Sequence, residues 1–139
     1  KVQGLNAHQG ISFQAMNMMI FMNTSVINAE GQVLISYDNI TISSESASFD
    51  LQNEIFTAER EGKIIYSSKG DRGDSRDNIE AVYGKAVFFM SEERILLTDN
   101  PKVVMGNNTF TGKEIVVSLK DNMIQASGGT KLEIEGVGL

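Results

Sequence analysis

Cysteine and tryptophan are absent from the 139-residue chain, and proline occurs once. Without thiols there is no disulfide framework, no thiolate metal site and no cysteine nucleophile, although a cysteine-free chain fits any compartment. A single domain of this length can bury roughly two thirds of its unfolded surface, so an apolar core is enough to hold it. His8 is the only histidine and has no acidic residue near it in the sequence. That leaves no histidine-based metal site or catalytic triad, and the segment around it reads as a disordered tail, residues 1–10. Basic charge is scarce as well: 12 Lys and Arg face 18 Asp and Glu, a net charge of −6, with no basic cluster interleaved with aromatics. Binding led by nucleic-acid phosphates is therefore excluded. The longest apolar runs, Met18 to Met22 and Ala86 to Met90, have five residues each, far below the roughly 18 to 20 of a membrane-spanning helix. The chain opens on Lys1, as a processed or truncated chain would, so an export signal or anchor would lie outside it.

What is present is period-two alternation. Ile27-x-Ala29-x-Gly31-x-Val33-x-Ile35, Ile40-x-Ile42, Ile115-x-Val117-x-Leu119 and Leu132-x-Ile134 alternate between turn signals at Tyr37-Asp38-Asn39, Asp99-Asn100-Pro101, Gly106-Asn107-Asn108 and Lys120-Asp121-Asn122. Short strands with a turn every 8 to 12 residues predict an all-β fold, a sandwich, barrel or jelly roll.

A repeat underlies the alternation. A small residue is followed three and five positions later by apolar ones: Ala15 with Met18 and Ile20, Ser44 with Ala47 and Phe49, Gly84 with Val87 and Phe89, Gly112 with Ile115 and Val117. Twelve positions on lie Ile27, Phe56, Leu96 and Ile124; fourteen on lie Ala29, Ala58, Thr98 and Ala126. A constant span implies a constant strand pair, because a one-residue slip would turn each apolar set to the opposite face. The units begin 29, 40 and 28 residues apart. The excess in the second interval matches a charged loop at 68–78 with no apolar residue, expected to project into water. Four strand pairs, each with one apolar face, predict an open β-jelly roll or two-sheet sandwich over residues 11–134, followed by a tail at 135–139. The phase places Met18, Ile20, Ile27, Ala29, Val33, Ala47, Phe49, Phe56, Val87, Phe89, Leu96, Ile115, Val117 and Ile124 between the sheets. Two strands, around Met16 to Met22 and Ala86 to Met90, are apolar on both faces, and Met suits a surface that adapts to flexible chains.

The repeated Ala-x-x-apolar-x-apolar and apolar-x-Ala-x-Gly-x-Val, seen in Ile27-Asn-Ala-Glu-Gly-Gln-Val33, Leu97-Thr-Asp-Asn-Pro-Lys-Val103, Phe110-Thr-Gly-Lys-Glu-Ile115 and Ile124-Gln-Ala-Ser-Gly-Gly129, resembles the LptA/OstA-type lipopolysaccharide transport proteins of the periplasm. The resemblance runs from about Ile11 to Ile134 and departs where Arg60 stands in place of Gly31 and at the charged loop. It implies an incomplete, V-shaped jelly roll that holds acyl chains between two sheets, with some of the fourteen residues above as contacts. It also implies a periplasmic bridge toward the outer membrane, head-to-tail association through edge strands near Ile11 to Met22 and Lys131 to Ile134, inner- and outer-membrane transport partners, and energy from an ATP-driven partner. No cofactor, metal or catalytic residue is expected.

Other motifs are weaker. Asp71, Asp74 and Asp77 lack the alternating ligand pattern of a calcium loop. Arg72-Gly73-Asp74 matches a cell-adhesion tripeptide, and Asn23, Asn39 and Asn107 open glycosylation acceptor patterns that mean nothing in a bacterial protein. The second reading of the chain is a structural or adhesive extracellular β-domain whose interior is merely core. The two are separable: a carrier leaves an apolar groove open between its sheets, whereas an adhesive domain has a closed core.

Overall fold

Alternating residues of high β-propensity become thirteen strands among the residues that the computed structural model describes, which are 2–3, 10–67 and 78–134. They are β1 (Val2–Gln3), β2 (Ser12–Gln14), β3 (Asn17–Phe21), β4 (Val26–Tyr37), β5 (Ile40–Asp50), β6 (Ile55–Tyr66), β7 (Ile79–Phe89), β8 (Arg94–Thr98), β9 (Lys102–Met105), β10 (Asn108–Thr111), β11 (Glu114–Ser118), β12 (Met123–Ser127) and β13 (Lys131–Ile134). Every pairing is antiparallel, and the sheet does not close on itself. His8, the charged loop at 68–77 with its Arg72-Gly73-Asp74 and three aspartates, and the tail at 135–139 lie outside the described residues. Within the expected N-terminal tail, Val2–Gln3 pair with β2.

The strands β4 to β7 have 11 or 12 residues each, about twice the usual length. Their pairing slips midway, between Glu30 and Val33, Ser44 and Ser46, and Glu59 and Gly62. One extra residue in a strand bends it and sharpens its twist. The bend needs left-handed backbone, which Gly31 (φ 82°), Arg60 (φ 66°), Asp99 (φ 62°) and Gly128 (φ 81°) supply at intervals of 29, 39 and 29 residues. Glycine takes this conformation freely; Arg60 and Asp99 do so against their side chains. The bends line up and fold the sheet into two arms that share a vertex. Arm 1 runs β3, β4, β5, β6, β7, β8, β11, β12; arm 2 runs β1, β2, β4, β5, β6, β7, β9, β10, β13.

Side chains facing the other arm form continuous cross-strand rows, because directly opposed residues share a face. In arm 1 the outer row is Ile20, Ile27, Phe49, Phe56, Phe88, Ile95, Val117, Ile124, and the row nearer the vertex is Met18, Ala29, Ala47, Ala58, Ala86, Leu97, Ile115, Ala126. Alanine recurs near the vertex because the arms are closest there, and rings and branched chains fill the wider space farther out. In arm 2 the corresponding row is Phe13, Ile35, Ile42, Ile64, Ala81, Val103, Phe110, Leu132.

These rows correct the third repeat by one position. Ala86 and Phe88 of β7 and Ile95 and Leu97 of β8 are buried in the core, whereas Val87, Phe89 and Leu96 are half-buried on the outer face of arm 1, with Ile55 and Val116. The residue equivalent to Ser44 is Tyr83, since Ser44, Gly62 and Tyr83 stand opposite one another at the vertex. Anchored there, the units begin 29, 39 and 29 residues apart, and the ten-residue excess falls in the β6–β7 connection. Tyr83 is large because Gly62 beside it has no side chain. Its ring lies across that glycine and its hydroxyl donates to the Ser43 carbonyl at 3.0 Å. Burial pushes this phenol well above its ordinary range, which keeps the donor protonated. Ser44, the one buried polar side chain among the described residues, donates to the Glu59 carbonyl at 2.8 Å.

Candidate functional site

The space between the arms has two unlike halves. Toward β2 it is filled. Phe13 of arm 2 stacks on Phe49 of arm 1 with ring centroids 5.9 Å apart and meets Phe56 edge-on at 5.5 Å, while Phe49 and Phe56 are 6.2 Å apart. Tyr37, where β4 ends, meets Phe88 edge-on at 5.4 Å. Burial raises the pKa of the Tyr37 phenol, and nearby Glu93, Asp38 and Glu54 raise it further.

Toward β12 the arms stand apart around a cavity of about 260 Å³. Arm 2 lines it with Ile40, Ile64, Tyr66, Ile79, Ala81, Met105 and Phe110; arm 1 contributes Ile95, Val117 and Ile124, joined by Leu119, Met123, Ser118 and Asn122 at the β11–β12 turn. The arm 2 positions and Ile95, Val117 and Ile124 follow from the period-two phase of their strands, whereas Ser118, Leu119, Asn122 and Met123 are brought in by the β11–β12 turn. None of the lining residues is charged, so the cavity can solvate hydrocarbon. Among the described residues no group of three or more His, Asp or Glu is placed to hold a metal ion.

Of the fourteen residues expected between the sheets, Val117 and Ile124 line this cavity. Ile27, Ala29, Val33, Ala47, Phe49, Phe56 and Ile115 are buried core. Met18 packs partly buried against that core, and Ile20, on the same face of β3, is 50% exposed. Val87, Phe89 and Leu96 face outward, and Arg94 lies 4.8 Å over the Phe89 ring. Half of the lining residues come from arm 2, whose strand segments fall just outside the repeat. The signal was there in Ile40-x-Ile42, Ile64-x-Tyr66, Ile79-x-Ala81 and Val103-x-Met105, which alternate in the same way beyond each vertex.

Residues 13–123, from β2 to the start of β12, match the model of the LptA/(LptD N-terminal domain) LPS transport protein family. The chain belongs to this family. Its members are transport proteins rather than enzymes, and an open, two-armed antiparallel sheet built from repeated strand pairs is their fold. Among curated proteins, none matches the sequence. Among solved structures, LptH from Pseudomonas aeruginosa, the LptA-homologous periplasmic component of the conserved lipopolysaccharide transport device, superposes with a TM-score of 0.80 at 19% identity over 92% of this chain and 96% of LptH. Set on the LptA/LptD N-terminal fold, the apolar cavity lies between arm 2 and arm 1, whose edge strands β3 and β12 pair with no further strand among the described residues.

Proposed function

We propose that this chain is a non-catalytic, lipopolysaccharide-binding carrier of the periplasm, which holds acyl chains between its arms and joins copies or family partners end to end. The observation that carries the reading is the uncharged apolar cavity left open between the arms, where an adhesive domain would have a closed core. Each acyl CH₂ leaving water contributes roughly 0.8 kcal/mol, so affinity needs no basic pocket, in keeping with the net charge of −6. The periplasmic setting follows the LptH likeness and the family. A photo-crosslinking residue at Ile64 or Val117 is expected to trap lipopolysaccharide, and one at Glu114, on the outer face of β11, is not. Trapping at Glu114 alone would reject the reading.

Strand count supports the joining. Arm 1 has eight strands in alternating directions, so β3 and β12 run oppositely, and a second copy placed beside the first by simple translation presents an antiparallel edge. Its ends are also where apolar side chains are bare: Met19, Ile20, Phe21 and Met22 at one edge are 60%, 50%, 40% and 87% exposed, and Met123 at the other is 51% exposed. Continuing the two rows across the joint sets Ile20 opposite Ile124 and Met18 opposite Ala126 of the next copy, hence Met19 opposite Gln125. Strand addition of this kind draws affinity from main-chain hydrogen bonds and specificity from alternate side chains, and a head-to-tail contact that does not close gives an open filament. In the cysteine-free chain, Met19→Cys paired with Gln125→Cys should form intermolecular disulfides on oxidation, in a ladder that lengthens with concentration. Met19→Cys with Met123→Cys, two residues out of register, should not; equal yields from both pairs would count against the joint.

A further inference from the structure

Phe13 is 2% exposed although β2, which carries it, has three residues and is held by β4 on one side and the two residues of β1 on the other. Its ring is the deepest contact that arm 2 makes with Phe49 and Phe56 of arm 1. On one side of this contact lies the cavity of about 260 Å³. An apolar cavity of about 150 Å³ holds one benzene, so the space admits the end of one acyl chain and not a group of them. On the other side stands the inward face of β3, where Ile20 continues the row of Ile27 and Phe49, and Met18 that of Ala29 and Ala47, but half of Ile20 is open to solvent. Apolar surface is thus present on both sides of the aromatic cluster, which the Tyr37–Phe88 pair extends toward the cavity.

We infer that Phe13 is a displaceable plug: in the unloaded chain its ring occupies, against Phe49 and Phe56, the place that acyl chains take when the carrier is loaded. Lifting β2 uncovers Phe49 and Phe56 and extends the apolar surface of β3 toward the cavity, as far as the Tyr37–Phe88 pair. A short strand with three pairing partners on β4 (Leu34, Ile35 and Ser36) can leave without disturbing β4 to β7, which carry the fold through the vertex. Such a segment belongs to the low-stability end of a structure, from which moving elements are drawn. The acyl chains replace ring contacts with chain contacts, so Phe49 and Phe56 stay covered in both states. The inference rests on the carrier reading, since nothing else on the molecule would compete with Phe13 for this place.

The chain has no tryptophan, so Phe13→Trp and Met123→Trp each install a sole tryptophan, one in the plug and one at the cavity. Purified lipopolysaccharide should shift Met123→Trp emission to the blue and shield it from acrylamide. The same addition should shift Phe13→Trp to the red and raise its quenching several-fold. A response at Met123→Trp with none at Phe13→Trp overturns the plug and leaves the carrier; no response at either overturns both. Phe13→Leu, which keeps apolar bulk but removes the stacking, should take up lipid several-fold faster than the parent chain. A lower melting temperature with an unchanged uptake rate would mark Phe13 as core alone.

Discussion

Leu119→Asp should weaken lipopolysaccharide binding on the order of 30-fold while the fold survives. Leu119 lines the cavity at the β11–β12 turn and is only partly buried, so in the empty protein its replacement can keep a carboxylate in contact with water. Its backbone bond to the Glu93 carbonyl at 2.9 Å does not involve the side chain. When an acyl chain enters, that water must leave. Stripping a polar group without a partner costs at least about 2 kcal/mol, which is more than a tenfold change in affinity, and no cationic side chain lines the cavity to offset it. The measurement is a lipid titration alongside thermal melting. Unchanged affinity with an unchanged melt would remove the cavity from the binding site.

Gly62→Ala should destabilise the fold by about 3 kcal/mol, the upper end of what overpacking usually costs, and lower the melting temperature by about 10 °C. A Cβ at this position would fall on the Tyr83 hydroxyl and within 2.5 Å of the Ser43 carbonyl, which is backbone and cannot swing aside. Tyr83→Phe in the same chain should recover only part of the loss, because it removes the hydroxyl but not the carbonyl. Full recovery would show that the vertex yields more readily than its hydrogen bonding indicates. Neither substitution touches the cavity, so lipid affinity per folded molecule should stay the same.

The vertex also explains what could be read from the sequence and what could not. Alternation alone gave the strands, and the Ala-then-large spacing gave the register of three units, because each of those units begins on a small residue that the close approach of the arms requires. The third unit begins on Tyr83, where the small partner has moved one strand over to Gly62. Volume is conserved across the pair, not along the chain, and a pattern sought along the chain slips to Gly84. Left-handed residues would have served better, yet Arg60 and Asp99 do not announce that conformation as Gly31 and Gly128 do. The cavity was hidden for a different reason. Phe49 and Val117 occupy the same row, and only the position of Phe13 across the gap makes one of them packed core and the other a lining residue.

The left-handed positions at Gly31, Arg60, Asp99 and Gly128 divide the molecule into modules, the first three of which each add two strands to either arm. With strands about 4.8 Å apart, one module widens the sheet by about 10 Å and leaves the directions of its two edges unchanged. A gain or loss of one strand would reverse an edge and spoil a translational joint, whereas a whole module is silent to its neighbours. Reach is therefore set in steps of a module, within a polypeptide or between polypeptides, and duplication inside a gene is mechanically equivalent to adding part of another copy at the end.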